Sequence, residues 1–149
     1  MEVQVKELKT IYGVESSIIK FMEAGCDECM KSGEVYFSRV GKGIDRGWKI
    51  HAVATSNVAV PFGKVRFAVA DFNFESCRFE TLGGDVMSKL IIPPNHWYRF
   101  VGDAEPYSLI ANFLDIAHQA EAGSLKQKRL SSLQPTNQVL WDKQRIINQ

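Results

Sequence analysis

The 149-residue chain lacks an excess of charge of either sign and lacks a long apolar run. Its 18 Lys+Arg and 17 Asp+Glu give a formal net charge of +1, so no overall field is available to gather a polyanion such as DNA. Apolar runs such as Leu90-Ile91-Ile92 are far shorter than the roughly 20 residues that a membrane-spanning helix needs. We therefore expect neither nucleic acid nor a membrane as a partner.

The chain also has few cysteines. Three cysteines are an odd number without the spacing of a secreted disulfide scaffold. Cys26-Asp27-Glu28-Cys29 is a lone C-x-x-C motif, and Cys77 alone does not supply the second ligand pair that a structural zinc site needs. The first residues, Met1 to Lys6, alternate charged and apolar side chains and lack the apolar region of a secretory signal. We therefore expect a cytoplasmic protein with ordinary thiols.

What the sequence does contain, from Gly33 to Asp115, is a series of short β-branched and aromatic runs separated by Gly, Pro, Asn and Asp. This pattern is typical of an all-β sandwich or barrel. The predicted strands are Glu34–Val40, Gly47–Ala54, Val58–Pro61, Lys64–Ala70, Arg78–Leu82, Ser88–Ile92, Trp97–Val101 and Ser108–Leu114. Eight short strands favour a jelly roll. Two earlier strands, Val5–Tyr12 and Ser17–Met22, either extend one sheet or cross to a second subunit.

The C-terminal part of the chain has a different character. Residues 119–149 are polar and rich in Gln, Lys and Arg, their apolar residues have partial helical spacing, and Pro135 divides them. We predict a helix over Ser124–Leu133 and another over Gln138–Ile147. The expected organisation is one jelly-roll domain, residues 1–118 with the N-terminal strands included, and a short helical tail, residues 119–149, packed on the barrel or on a partner subunit.

The segment Arg46-Gly47-Trp48-Lys49-Ile50-His51 carries the strongest chemical signal. Alternate side chains of a strand share a face, so Lys49 and His51 would project from one side while Trp48 and Ile50 pack on the other. Polar side chains inside a small barrel are costly unless a ligand or water reaches them. The titratable pair therefore predicts a pocket, and a solvated sheet face is the alternative.

Other polar residues on the predicted strands are candidates for the same cavity. They are Tyr36, Asn57, Arg66 and Asn112 for binding, and Tyr98, whose phenol can donate or accept a proton. Core packing for Tyr36 and solvent exposure for Arg66 are the ordinary explanations. Two metal-binding imidazoles on one strand would need an H-x-H spacing, but Lys49 occupies its first place, and an ammonium does not bind a cation. We therefore predict neither a metal nor another cofactor.

Taken together, these residues resemble the dTDP-4-dehydrorhamnose 3,5-epimerase family and related sugar-nucleotide-modifying cupins. The resemblance covers the chain from about Val3 to about His118. The segments that carry it are Ile19–Glu23, Gly33–Ser38, Arg46–His51, Val60–Val65 and Ile92–Pro94. It implies a metal-free, dimeric cupin jelly-roll β-barrel. It also implies an epimerase or isomerase acting on a nucleoside-diphosphate-linked 4-keto-6-deoxy sugar, in surface polysaccharide or deoxysugar biosynthesis.

The resemblance also implies roles for individual residues. In the epimerases the segment matching Arg46–His51 reads Arg-Gly-Leu-His-Tyr-Gln, and its His removes the proton next to the sugar ketone. Lys49 stands at that position here, whereas His51 matches the second His of the Arg-Gly-x-His-x-His segment in related ketoisomerases. Arg46 matches the family's arginine, whose guanidinium is suited to holding phosphate or the sugar carbonyl.

Three mechanisms remain open. In the first, His51 is the base while Lys49 holds the enolate or the diphosphate. In the second, Lys49 takes the proton itself, because burial and Arg46 have lowered its pKa. In the third, the pocket binds a sugar nucleotide without epimerising it. The family's acid is a Tyr in a segment that corresponds loosely to Leu109–His118, which has none, so Tyr98 is the candidate acid. A non-catalytic cupin that binds a sugar nucleotide or carbohydrate is the alternative function, and a dimerisation module is a third.

Overall fold

The computed structural model describes residues 2–12, 14, 17–22, 33–45, 47–115 and 126–128. None of the elements in this part of the chain is a helix that could cross a membrane. The strands are β1 (Gln4–Glu7), β2 (Lys9–Tyr12), β3 (Ser17–Lys20), β4 (Glu34–Val40), β5 (Trp48–Ile50), β6 (Ser56–Phe62), β7 (Lys64–Ala70), β8 (Cys77–Gly83), β9 (Ser88–Ile92), β10 (Trp97–Gly102), β11 (Ser108–Leu114) and β12 (Lys126–Lys128).

These strands form two five-stranded antiparallel sheets and one small hairpin. The first sheet has the order β1-β9-β6-β11-β4, the second has the order β12-β5-β10-β7-β8, and β2 pairs with β3. Strands from both sheets contribute to one apolar core, so the sheets pack face to face. The predicted all-β jelly roll of cupin type is confirmed.

Four strands have the predicted bounds: β4, β7, β9 and β11. β5 is shorter than predicted because the chain bends away after Ile50, where the carbonyl of His51 accepts a hydrogen bond from the N–H of Asn95 at 2.8 Å. The predicted strand Val5–Tyr12 is interrupted at Leu8, whose N–H donates to the carbonyl of Met87 at 2.9 Å. Its first half therefore extends the first sheet, whereas its second half belongs to the hairpin.

The described part of the C-terminal tail differs from the prediction. Lys126–Lys128 is a strand that pairs with β5, so the helix predicted over Ser124–Leu133 is wrong for these residues. The edge of β5 offers backbone hydrogen bonds to an added strand, and that tertiary contact overrides a weak helical pattern. The second predicted helix, Gln138–Ile147, and the predicted domain boundary at residue 118 lie outside the described residues.

Strand alternation gives each sheet an inner and an outer face. The core between the sheets contains buried side chains of one parity, among them Val58, Phe67 and Phe100. A second apolar cluster, which includes Trp48 and Trp97, lies on the outer face of the second sheet. The parity of a residue on its strand therefore determines whether its side chain enters the barrel.

Candidate active site

His51 and Tyr98 form a buried hydrogen-bonded pair inside the barrel. β5 and β10 pair so that Lys49 lies opposite Tyr98, and His51 directly follows β5. His51 Nε2 lies 3.1 Å from the Tyr98 hydroxyl, and the two rings stack with 5.8 Å between centroids and 19° between planes. Both residues are at least 95% buried, with 5% and 4% exposure. The segment Arg46–His51 thus contributes His51 to a buried, hydrogen-bonded pair of titratable side chains.

The environment of Tyr98 keeps its phenol protonated. Burial raises the pKa of Tyr98 well above that of a free phenol, and the neighbouring Tyr36 raises this pKa further. Tyr98 is therefore an uncharged phenol at neutral pH, and its hydroxyl can both donate and accept a hydrogen bond. When neutral His51 carries its proton on Nδ1, the Tyr98 hydroxyl donates to Nε2, and in the other tautomer Nε2 donates to the hydroxyl. Either arrangement suits general acid–base chemistry.

Lys49 lies on the same wall of the barrel. Its Nζ is 5.0 Å from the centroid of the Phe100 ring, within the range of a cation–π contact. The side chain is half-buried and lines the same small cavity as Tyr98. The predicted alternation is confirmed, because Lys49 faces the cavity while Trp48 and Ile50 pack in the outer cluster.

The opposite wall of the cavity comes from the first sheet and is built of neutral polar groups. Ser56 Oγ donates to Asn112 Oδ1 at 2.7 Å, and Asn112 Nδ2 donates to the Tyr36 hydroxyl at 2.8 Å. Tyr36 and Asn112 face each other across the antiparallel pair of β4 and β11. This chain of hydrogen bonds fixes the orientation of the Tyr36 hydroxyl.

The cavity between the two walls is small. Its volume is about 20 Å³, which is room for about one water molecule. Tyr36, Ser38, Lys49, Tyr98 and Asn112 supply its polar lining. A sugar ring does not fit in this volume, so a ligand of that size must displace a lining side chain. Lys49 has the longest and most flexible of these side chains.

Not every predicted site residue reaches this cavity. Asn57 is fully buried, but it has the opposite parity to Ser56 and Val58 on β6 and therefore lies on the outer face of the first sheet. Arg66 has the opposite parity to Phe67, and its Nε lies 3.6 Å from Asp103 Oδ2 on the outer face of the second sheet. The expectation that these two residues share the cavity is corrected. Arg46 lies outside the described residues.

The structure thus brings together His51, Lys49, Tyr98, Tyr36 and Asn112. Ser56 joins them through Asn112 and was not predicted. Ser56 has the same parity as Val58 and therefore faces the same side of β6. It was not predicted because the predicted strand began at Val58. Within the residues that the structure describes, no three His, Cys, Asp or Glu side chains are grouped closely enough to hold a metal ion.

The comparisons with known proteins point to one group of enzymes. No protein-family model matches the chain, and no curated protein matches its sequence. Among solved structures, the dTDP sugar isomerase from Desulfovibrio desulfuricans G20 is 28% identical, with a TM-score of 0.76 over 87% of this chain and 85% of that one. The dTDP-4-dehydrorhamnose 3,5-epimerase from Elizabethkingia anophelis NUHP1 is 14% identical, with a TM-score of 0.72 over 87% and 76%.

A third similar structure is QdtA, a sugar 3,4-ketoisomerase from Thermoanaerobacterium thermosaccharolyticum in complex with TDP. It is 17% identical, with a TM-score of 0.71 over 85% of this chain and 88% of that one. A mutant of the same ketoisomerase, in complex with TDP-4-keto-6-deoxyglucose, also matches, with a TM-score of 0.65. The resemblance found in the sequence is confirmed: the chain has the fold of the dTDP-4-dehydrorhamnose 3,5-epimerases and sugar ketoisomerases, and its structural neighbours are these enzymes.

Proposed function

We propose that this protein is an epimerase or isomerase that acts on a nucleoside-diphosphate-linked 4-keto-6-deoxy sugar by removing a proton next to the ketone. The observation that carries the proposal is the buried hydrogen bond between His51 and Tyr98, beside the ammonium of Lys49. A proton next to a carbonyl is weakly acidic, so its removal requires a base of near-neutral pKa and a donor or cation for the enolate oxygen. These three side chains supply both.

The proposed cycle assigns one role to each side chain. His51 takes the proton, the C–H bonding electrons pass into the enolate, and the Lys49 ammonium stabilises the enolate oxygen. Tyr98 then donates its proton to carbon, and His51 returns its own proton to the phenolate through their 3.1 Å hydrogen bond. The catalyst is regenerated. Because His51 and Tyr98 lie on one wall of the cavity, this cycle returns a proton to the face that lost it, and inversion requires a proton donor on the opposite wall.

The substrate class is drawn from the neighbours and the site together. The neighbour with the highest identity given above is a dTDP sugar isomerase, and two structures of the ketoisomerase hold TDP or TDP-4-keto-6-deoxyglucose. Tyr36 and Asn112, with their fixed hydroxyl and amide, are suited to bind sugar hydroxyls. Arg46 is proposed to hold the diphosphate. Rotation of the Lys49 side chain would enlarge the cavity for the sugar.

Solvent isotope exchange tests this function directly. The protein is incubated in D₂O with dTDP-4-keto-6-deoxyglucose, and deuterium at the carbons next to the ketone is followed by NMR. We expect enzyme-dependent incorporation. His96→Asn is the control and should keep the wild-type exchange rate. His96 Nδ1 lies 3.0 Å from the Pro94 carbonyl in a loop, and the His96 side chain does not line the cavity. Absence of exchange with several 4-keto-6-deoxy sugar nucleotides would refute the enzymatic proposal.

A non-catalytic cupin that binds a sugar nucleotide is the second candidate. Two observations favour it: Lys49 stands where the resemblance expects the base, and the cavity has room for about one water molecule. Thermal stabilisation by dTDP without any exchange would support this function over the first.

The proposal includes a cytoplasmic homodimer working in surface polysaccharide or deoxysugar biosynthesis. The side chains of Val35 and Phe37 on the outer face of β4 are 54% and 65% exposed, and apolar side chains of this size favour burial in an interface. Sedimentation equilibrium should give twice the chain mass of 16.8 kDa. A monomer mass at micromolar concentration would contradict this part of the proposal.

A further inference from the structure

A buried ion pair lies behind the candidate active site, on the outer face of the second sheet. Arg99 Nε donates to both carboxylate oxygens of Asp45, at 3.0 and 2.8 Å, and a second guanidinium nitrogen lies 2.5 Å from Oδ2. The Arg99 side chain is 2% exposed and that of Asp45 is 14% exposed. Taking two charges out of water is costly, so a buried pair is weak evidence for a purely stabilising role.

Asp45 also fixes the backbone that enters β5. Its Oδ1 accepts a hydrogen bond from the N–H of Gly47 at 2.9 Å. Gly47 is buried and has a φ of 80°, a conformation that side-chain-bearing residues rarely adopt. Trp48 follows directly, with its ring 5.9 Å from the Arg99 guanidinium. The Asp45 carboxylate therefore binds both the backbone N–H of Gly47, just before β5, and the Arg99 guanidinium beside Trp48, the first residue of β5.

The Asp45–Arg99 ion pair, together with the hydrogen bond from Gly47 to Asp45, is called the clamp here. It matters because β5 is attached to β10 over a short length. β5 has three residues, and its pairing with β10 comprises Trp97 with Ile50 and Tyr98 with Lys49. Before β5, the contact with β10 continues as an isolated bridge between Asp45 and Val101. The ion pair therefore holds the N-terminal end of a strand whose pairing with β10 is short.

We propose that Asp45, acting with Arg99, is a positioning residue that sets Lys49 and His51 relative to Tyr98. β10 presents Tyr98 to the cavity and the next residue, Arg99, to Asp45. The clamp thus fixes β5 against the same strand that carries the proposed acid. The catalytic consequence rests on the proposed function, whereas the geometric consequence does not. A misplacement of about 1 Å in an active site can cost about 100-fold in rate.

The double variant Asp45→Asn/Arg99→Met tests the proposal. It removes the clamp without leaving a buried charge unpaired, as Asp45→Asn alone would. We expect the variant to fold, to lose about 10- to 100-fold in kcat for deuterium exchange, and to keep KM within about threefold because the cavity residues are unchanged. Arg99→Lys keeps the charge without the planar fork, and we expect an intermediate loss of kcat.

Asp103→Asn is the matched control, because it removes an acidic partner of an arginine on the same outer face without touching β5. We expect its kcat to equal that of the wild type. The imidazole ¹⁵N spectrum of the ligand-free protein gives a readout that does not depend on activity. The His51 signal is assigned by replacing each histidine in turn and noting which signal disappears. The His51 signal should shift in the double variant and stay unchanged in Asp103→Asn.

Two results would overturn the positioning role: a kcat of the double variant and of Arg99→Lys within twofold of the wild type, or an unchanged His51 signal in the double variant. If the wild-type protein itself shows no exchange, the proposed function fails, and the imidazole spectrum alone decides whether Asp45 positions the pair.

Discussion

The two walls of the barrel cavity are built from different kinds of polar group. The wall from β5 and β10 carries the titratable side chains of Lys49 and Tyr98, and His51 joins them through its hydrogen bond to Tyr98. The wall from β4, β6 and β11 carries Tyr36 and Asn112, linked to Ser56 by two neutral hydrogen bonds. From this difference we propose a division of labour, in which one wall transfers protons and the other holds the substrate in a fixed orientation.

Apart from replacement of His51 itself, Tyr98→Phe should give the largest change on the wall from β5 and β10. It removes the proposed acid and the hydrogen-bond partner of His51 while keeping the ring stack. We expect the rate of product formation to fall about 10²- to 10⁴-fold, the usual contribution of a general acid. Product formation is measured by NMR, and dTDP binding by calorimetry. A rate within threefold of the wild type would remove Tyr98 from the chemistry.

Lys49→Met should have a somewhat smaller effect. Met keeps much of the apolar stem but removes the ammonium that is proposed to stabilise the enolate oxygen. We expect about a 10²- to 10³-fold loss of kcat, as for other groups that stabilise a developing oxyanion. Steady-state kinetics with the 4-keto sugar nucleotide checks this value. If KM rises instead while kcat is unchanged, Lys49 holds the diphosphate or sugar rather than the enolate.

Asn112→Ala should affect binding more than turnover. The change leaves Ser56 and the Tyr36 hydroxyl without their amide partner, and such a loss costs about 1–3 kcal/mol of stability. We expect KM to rise about tenfold, which corresponds to about 1.4 kcal/mol, with kcat within threefold. Urea unfolding and steady-state kinetics measure the two effects.

Asn57→Ala provides the matched comparison, because Asn57 is also a buried asparagine but lies on the outer face of the neighbouring strand β6. It should lower stability by a similar amount without raising KM. An equal rise of KM in both variants would mean that Asn57, on the outer face, contributes to substrate binding as much as Asn112 does, and would contradict the role proposed for the cavity wall.

The smallest expected effect is a pH dependence of stability from Tyr98. Because burial and Tyr36 raise the pKa of Tyr98 in the folded state, the unfolded chain releases this phenol proton first, near the ordinary pKa of about 10. The contribution to stability is therefore fully present below about pH 10 and falls above it by about 1.4 kcal/mol per pH unit. Urea unfolding between pH 9 and pH 11 should show this slope in the wild type and a flatter one in Tyr98→Phe. Equal slopes would contradict it.

The sequence predicts one wall of the cavity better than the other. The parity of Lys49 and His51 follows from alternation with the apolar Trp48 and Ile50, and the structure has that parity. On β6 the predicted start at Val58 excluded Ser56, and Asn57 was assigned to the cavity although it has the opposite parity. A shift of one residue reverses the face of every side chain, and local composition did not fix the parity of this strand.

Long-range contacts account for the remaining differences between sequence and structure. The pairing of Asp45 with Arg99 joins residues that are 54 positions apart, and no local pattern predicts it. Lys126–Lys128 forms a strand because β5 has an edge for it to pair with, and that edge is not visible in the composition of the tail. Strand positions follow from local patterns of apolar and turn residues, whereas these contacts depend on the assembled sheets.

Deuterium exchange by His51→Asn tests directly whether His51 is the base, because Asn keeps a polar side chain of similar size but cannot act as a base. The variant and the wild type are incubated in D₂O with dTDP-4-keto-6-deoxyglucose, and exchange next to the ketone is followed by NMR while dTDP binding is measured in parallel. We predict that exchange falls at least about 10³-fold, within the range for loss of a general base, with dTDP affinity unchanged. Exchange at the wild-type rate would rule out His51 as the base and assign that role to Lys49.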